Sequence, residues 1–105
     1  MGLYKIDTSA LRWEQVMPGL RQKVYRDGGR QLRWVEYTKD MAPHWCAKGH
    51  VGLVLDGRFE IRFDDATVVF SAGDGIFIPD GEQHKHVGRA LTDVVRVVFV
   101  EEVYH

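Results

Sequence analysis

The stretch Leu53–Phe63, LVLDGRFEIRF, sets two apolar runs on either side of Asp56-Gly57. In its second half the alternation is strict: Phe59, Ile61 and Phe63 fall on one face of an extended chain, and Arg58, Glu60 and Arg62 on the other. That is the pattern of a strand with one face in a core and one in water. An Asp-Gly pair between two such runs is a strong hairpin signal, because both central residues of a type I′ turn need positive φ. A hairpin turning at 56–57 is therefore predicted.

The same rhythm extends in both directions. Turn signals stand at 18–19 (PG), 27–29 (DGG), 64–65 (DD), 72–75 (AGDG) and 79–81 (PDG), and the runs between them are short and rich in β-branched and aromatic residues. The run DVVRVVFV at 93–100 is apolar at both parities, which predicts a strand covered on both sides, by a barrel interior and by another sheet or subunit. Arg96 interrupts it, either to pair with a carboxylate at a subunit interface or to reach an anionic ligand. The segment TSALRWEQV at 8–16 is the longest with helical periodicity and predicts the one helix. About eight strands at this spacing make an all-β sandwich or barrel.

With 105 residues the chain is expected to form one domain, 1–105, large enough for a single core. Hydrophobic residues at 45% and charged residues at 28% exclude a disordered or fibrous class. A net charge of -1 with dispersed Lys and Arg points away from nucleic acid and from anionic membrane surfaces. No stretch reaches membrane-spanning length, and the opening MGLYKIDTSALRWEQV lacks the apolar centre of a signal peptide, so a cytoplasmic location is expected. Cys46 is the chain's one cysteine, so its role lies in packing, metal ligation or reactivity.

Four of the five histidines form two clusters, His44 and His50 around Cys46 in HWCAKGH, then His84 and His86 in GEQHKH. If 43–46 is extended, His44 and Cys46 share a face, and His50 opens the next strand with the parity of Gly52 and Val54. Gly52 beside a ligand suits a cavity, a bulge or a close backbone approach. His86 shares parity with His84; it either faces the cavity as a base or caps the strand end in solvent, the second being favoured. Trp34, Tyr37, Trp45 and Phe77 are aromatic candidates for a pocket lining or for the core.

HWCAKGHVGLVLDG (44–57) and GDGIFIPDGEQH (73–84) resemble the two signature motifs of the cupin superfamily. In the second, Gly73, Pro79, Gly81 and His84 match every fixed position; in the first, His44 and Gly57 match, with Cys46 where a histidine and His50 where a glutamate is usual. The resemblance implies a small double-stranded β-helix (jelly-roll) barrel with its core at about 19–100. It also implies one divalent metal held by His44, Cys46, His50 and His84. Exchanging imidazole for thiolate and carboxylate for imidazole keeps one negative charge and softens the site, which favours zinc, with iron(II) or nickel as further choices. If all four bind, the shell is closed and structural; if Cys46 stands off, a position stays open for substrate.

Two functions are then expected as alternatives. In one, the metal is catalytic and acts on a small carboxylate- or enediol-type molecule inside the barrel, with His86 or Tyr37 carrying the proton. In the other, the domain is a non-catalytic, metal-stabilised binding or sensing module. The two-sided apolar strand and the resemblance both point to a homodimer.

Overall fold

The structure is a computed structural model and describes residues 4–103. The turn signals divide the chain as expected, and the described residues form nine strands: β1 (Glu14–Met17), β2 (Leu20–Asp27), β3 (Arg30–Thr38), β4 (His50–Asp56), β5 (Arg58–Phe63), β6 (Thr67–Ser71), β7 (Gly75–Ile78), β8 (His86–Ala90) and β9 (Val94–Glu102). A six-stranded sheet in the order β1-β2-β3-β9-β4-β7 faces a three-stranded sheet, β6-β5-β8, and every pairing is antiparallel. This is an all-β jelly-roll barrel. No helix among the described residues is long and apolar enough to cross a membrane.

The core lies between the sheets. From the large sheet come Leu20, Val35, Tyr37, Val54, Val95, Val97 and Phe99, all on inward parities, and from the small sheet Phe59, Ile61 and Ala90. Burying each large apolar side chain of this kind contributes about 1.5–3 kcal/mol. Tyr37 and Phe59 stack across the gap with ring centroids 4.4 Å apart. β9 is central in the large sheet, paired with β3 and β4, and its inward residues 95, 97, 99 and 101 are all buried.

Two local expectations are corrected. Asp56-Gly57 does not turn a hairpin: β4 belongs to the large sheet and β5 to the small one, so this is the corner where the chain changes sheets. Gly57 has φ 82°, and a Cβ there would come within 2.6 Å of Thr92 Oγ1. The same threonine oxygen accepts the Arg58 N–H at 3.1 Å, locking the corner to the β8–β9 turn. The segment 8–16 is not a helix either. It holds a 3-10 turn at Thr8–Ala10 and then β1. Asp7 takes both the N–H and the hydroxyl of Ser9, at 3.1 and 2.6 Å, and β2 offers pairing to Glu14 and Gln15. Nine residues nucleate a helix too poorly to compete with that strand pairing.

On the outer face of the large sheet, one row of register runs Arg21, Glu36, Arg96, Asp56. Arg96 donates to Glu36 at 3.0 Å and to Asp56 at 2.7 Å, so its partners are supplied by its own chain. Above this row the outer face is apolar, with Trp34, Val98 and Leu53 in register and Val100 and Phe77 beyond them.

Candidate metal centre and ligand cavity

Cys46 sits outside the named strands, yet its backbone is fixed. Its N–H donates to the His86 carbonyl and the His86 N–H donates to the Cys46 carbonyl, both at 2.9 Å. A pair that exchanges both bonds presents its side chains on the same face. His86 in turn is in register with Phe63, so the row Phe63, His86, Cys46 closes one end of the small sheet. Across the cavity, His50 opens β4 on the large sheet, its ring 4.8 Å from Phe99 and 5.3 Å from His86. One ligating atom from each of Cys46, His50 and His86 lies within 4.8 Å of the other two. Ligands about 2.0–2.3 Å from a shared ion stand roughly 3.5 Å apart, so modest side-chain rotation brings all three onto one centre.

The hydrogen bonds decide which ring nitrogens are free. His50 Nδ1 is 3.2 Å from Glu101 Oε2, and His86 Nδ1 is 3.0 Å from the His84 carbonyl. A carbonyl and an ionised carboxylate only accept, so each Nδ1 carries a proton, and in the neutral ring it is Nε2 that offers the lone pair. A carboxylate or carbonyl behind a histidine is the usual support of a metal-binding imidazole. Burial holds His86 below the ordinary imidazole pKa; the His84 carbonyl opposes this, and the neighbouring His50 and His44 add to it. Its ring is therefore neutral, as a ligand must be.

Glu101 is held by four donated bonds: Gln31 Nε2 at 2.7 Å, Arg33 Nε at 3.0 Å, Arg33 Nη2 at 2.9 Å and His50 Nδ1. Burial pushes its carboxyl up, but the bonds from His50 and Arg33, the Arg33 charge and the Gln31 bond outweigh burial and hold it well below the usual carboxylate range. Arg33 is the only full cation in this contact set, and it meets the carboxylate through two parallel bonds.

These groups line a cavity of about 320 Å³ between the sheets, at the small end of the range of about 300–1,000 Å³ for small-molecule sites. Phe59, Ile61, Ile76 and Phe99 form its apolar part, Gln22, Gln31 and Arg33 a polar wall, and the exposed His44 and Lys48 stand at its open side. Tyr37 also lines it; burial pushes its hydroxyl up to about 12, so it remains a phenol at neutral pH.

Of the residues expected from the motifs, Cys46 and His50 converge, His44 stands at the rim, and His84 does not join the group. His84 ends a 3-10 turn, Glu82–His84, in which the His84 N–H donates to the Gly81 carbonyl at 3.0 Å. Gly81, at φ 126° and ψ 158°, takes a conformation essentially reserved for glycine and starts that turn. The turn takes up Glu82–His84 before β8 begins at His86, so His86 is the residue grouped with Cys46 and His50, and His84 contributes its carbonyl to the His86 ring. His86 is buried rather than at a solvent-facing strand end. Phe77 faces outward at 77% exposure, since Ile76 and Ile78 take the inward positions of β7. Trp45 is exposed beside Arg62 and Lys85.

Glu101, Arg33, Gln31 and Gln22 were not among the expected site residues. A signal existed: Glu101 shares the parity of Val95, Val97 and Phe99, and Arg33 and Gln31 that of Val35 and Tyr37, so polar side chains were being aimed at a core.

The family model of the cupin domain matches residues 24–101. The chain belongs to the cupin family. Among solved structures, this cupin is similar to a protein of unknown function from Rhizobium leguminosarum bv. viciae 3841 (TM-score 0.78, 17% identity, covering 99% of this chain and 100% of that one). It is also similar to the polyketide cyclase RemF from Streptomyces resistomycificus (TM-score 0.77, 21% identity, 98% and 81%) and to KdgF from Halomonas sp. (TM-score 0.72, 22% identity, 95% and 94%). At these identities the likeness is one of fold. No curated protein matches the chain.

Proposed function

We propose that this cupin binds one divalent transition metal, zinc in the first instance, through Cys46, His50 and His86, and uses it to hold and activate a small oxygen-bearing molecule in the barrel. The observation that carries the reading is the pair of pinned Nδ1 protons, which leaves two imidazole lone pairs beside the Cys46 thiol. Two nitrogens and a sulfur suit zinc. When bound, the ion supplies Lewis-acid polarisation of a ligand oxygen. Three protein ligands leave a tetrahedral shell one position short, which is the arrangement of a catalytic site rather than a closed structural one.

The chain's own residues divide the remaining work. Phe59, Ile61, Ile76 and Phe99 exclude water from the cavity floor. Glu101 holds His50 in one tautomer. Proton transfer falls to His44, the cavity-lining imidazole outside the trio among the described residues, because Tyr37 holds its proton too tightly to act as a base. The polyketide cyclase among the neighbours is the same barrel put to catalysis.

Elemental analysis of protein purified without added metal tests the reading. About one transition metal per chain is expected, lost in His86→Ala. Folded wild-type protein that stays metal-free after incubation with zinc, nickel and iron(II) overturns it.

A further inference from the structure

The polar wall of the cavity has a direction. Arg33 Nη1 lies 3.1 Å from the Gln22 side chain, and a guanidinium only donates, so the Gln22 atom facing it is the oxygen. The amide nitrogen of Gln22 is thereby turned away from Arg33; it is not a buried atom left without a partner, so its protons stay accessible in the open cavity. Gln22 lies on the inward parity of β2, in register with Val35, and lines the cavity. Gln31 has the opposite assignment: its oxygen accepts from Arg26 at 3.0 and 2.8 Å, and one of its two amide protons goes to Glu101. Arg33 and Glu101 neutralise each other. On this wall the unspent donors are both amide protons of Gln22, the second amide proton of Gln31 and two N–H groups of Arg33, with the Lys48 side chain at the open side; Gln22 is the amide with both protons unspent.

We infer that the cavity takes a small hydroxy- or keto-carboxylate and that Gln22 selects it, donating from its amide nitrogen to the ligand's carboxylate while the ligand's second oxygen faces Cys46, His50 and His86. The inference rests on the proposed metal centre for that second contact only. Arg33 is a positioning residue: it fixes which end of the Gln22 amide meets the ligand. A site whose spare polar capacity is mainly donor favours ligands that bring acceptors over those that bring donors of their own, because most of the latter's protons would be left unpaired.

The test is calorimetric titration of the cobalt-loaded protein with glycolate, pyruvate and 2-oxoglutarate, each against its neutral amide. At least one acid should bind tenfold or more tightly than its amide. Gln22→Glu keeps a partner for Arg33 but removes the donor; it should abolish that preference while leaving the cobalt spectrum and the melting temperature unchanged. Gln22→Met, which removes the donor without adding charge, gives the same reading if the acidic variant does not fold. Wild type without a preference for any acid, or variants that keep it, overturns the inference. If the chain takes up no cobalt, the metal centre fails; a Gln22-dependent preference in that metal-free protein would still uphold the carboxylate subsite, and its absence would overturn both.

Discussion

Cys46 and His86 are joined through their backbones, each donating to the other's carbonyl at 2.9 Å, although 40 positions of sequence separate them. The pairing brings two side chains of a three-residue cluster to one face without help from any covalent constraint, and it leaves the third, His50, to arrive from the opposite sheet.

His86→Ala and His84→Ala should therefore separate. The first removes a ligand and is expected to weaken zinc or cobalt binding by at least a hundredfold. The second keeps the carbonyl that orients His86 and should change affinity by less than about tenfold, below the roughly 10–100-fold cost of losing a supporting group. In cobalt-loaded protein, thiolate charge-transfer absorption should be present in wild type and absent in Cys46→Ser. Equal loss of metal in the two histidine variants would contradict the assignment.

Glu101→Ala should act on both stability and metal. It strips Arg33 of a buried partner, and breaking such a pair costs about 3–5 kcal/mol; it also frees the His50 ring, weakening the metal by about 10–100-fold. Urea unfolding of the metal-free protein measures the first effect and metal titration the second. Both should be smaller in Glu101→Gln, which can still accept from Arg33.

Glu36 provides a pH signature away from the metal. Burial raises its carboxyl, but hydrogen bonds from Arg21 and Arg96, followed by their charges, lower it below the ordinary value of 4.5. A carboxyl depressed in the fold binds fewer protons there than in the unfolded chain, so its contribution is present above about pH 4.5 and is lost as pH falls through the lower folded value. The melting-temperature difference between wild type and Glu36→Gln should shrink on acidification below pH 4.5. A constant difference would mean that the carboxylate charge adds nothing.

Gly52→Ala should destabilise the barrel. A Cβ at this position would lie 2.8 Å from Phe99 Cδ1 and would press on the Val98 carbonyl, so β4 and β9 would have to part. Of the readings open to this glycine, close backbone approach is the one the structure selects. Overpacking of this kind costs about 1–3 kcal/mol, readable as a lowered melting temperature.

A second copy of the chain is expected on the outer face of the large sheet, where Trp34, Leu53, Val98 and Val100 form an apolar surface and Val100 is 52% exposed. The adjoining row of alternating charge, Arg21, Glu36, Arg96 and Asp56, limits the ways in which two such faces can meet. Light scattering should give about twice the chain mass of 12.1 kDa, and Val98→Arg should return it to a monomer. Wild type that runs as a monomer at micromolar concentration would rule this out.

The strand rhythm, most of the turns and the all-β class were legible from residue order, because alternation and turn chemistry are properties of neighbours along the chain; the jelly roll was implied by the likeness of the two motifs to those of the cupin superfamily. The resemblance of the stretch from Gly73 to His84 to the second cupin motif implied a ligand at His84. Three things were decided only by tertiary structure. Asp56-Gly57 became a corner between sheets because β4 finds its partners in β7 and β9, far along the chain. His86 came to stand beside Cys46 and His50 because the 3-10 turn Glu82–His84 precedes β8, whose register is then set by Cys46 and Phe63. Glu101 reached His50 and Arg33, the latter 68 positions away, because β9 inserts between β3 and β4. Sequence periodicity states which face a side chain takes; which other side chains share that face depends on non-local pairing, and only the folded sheets specify it.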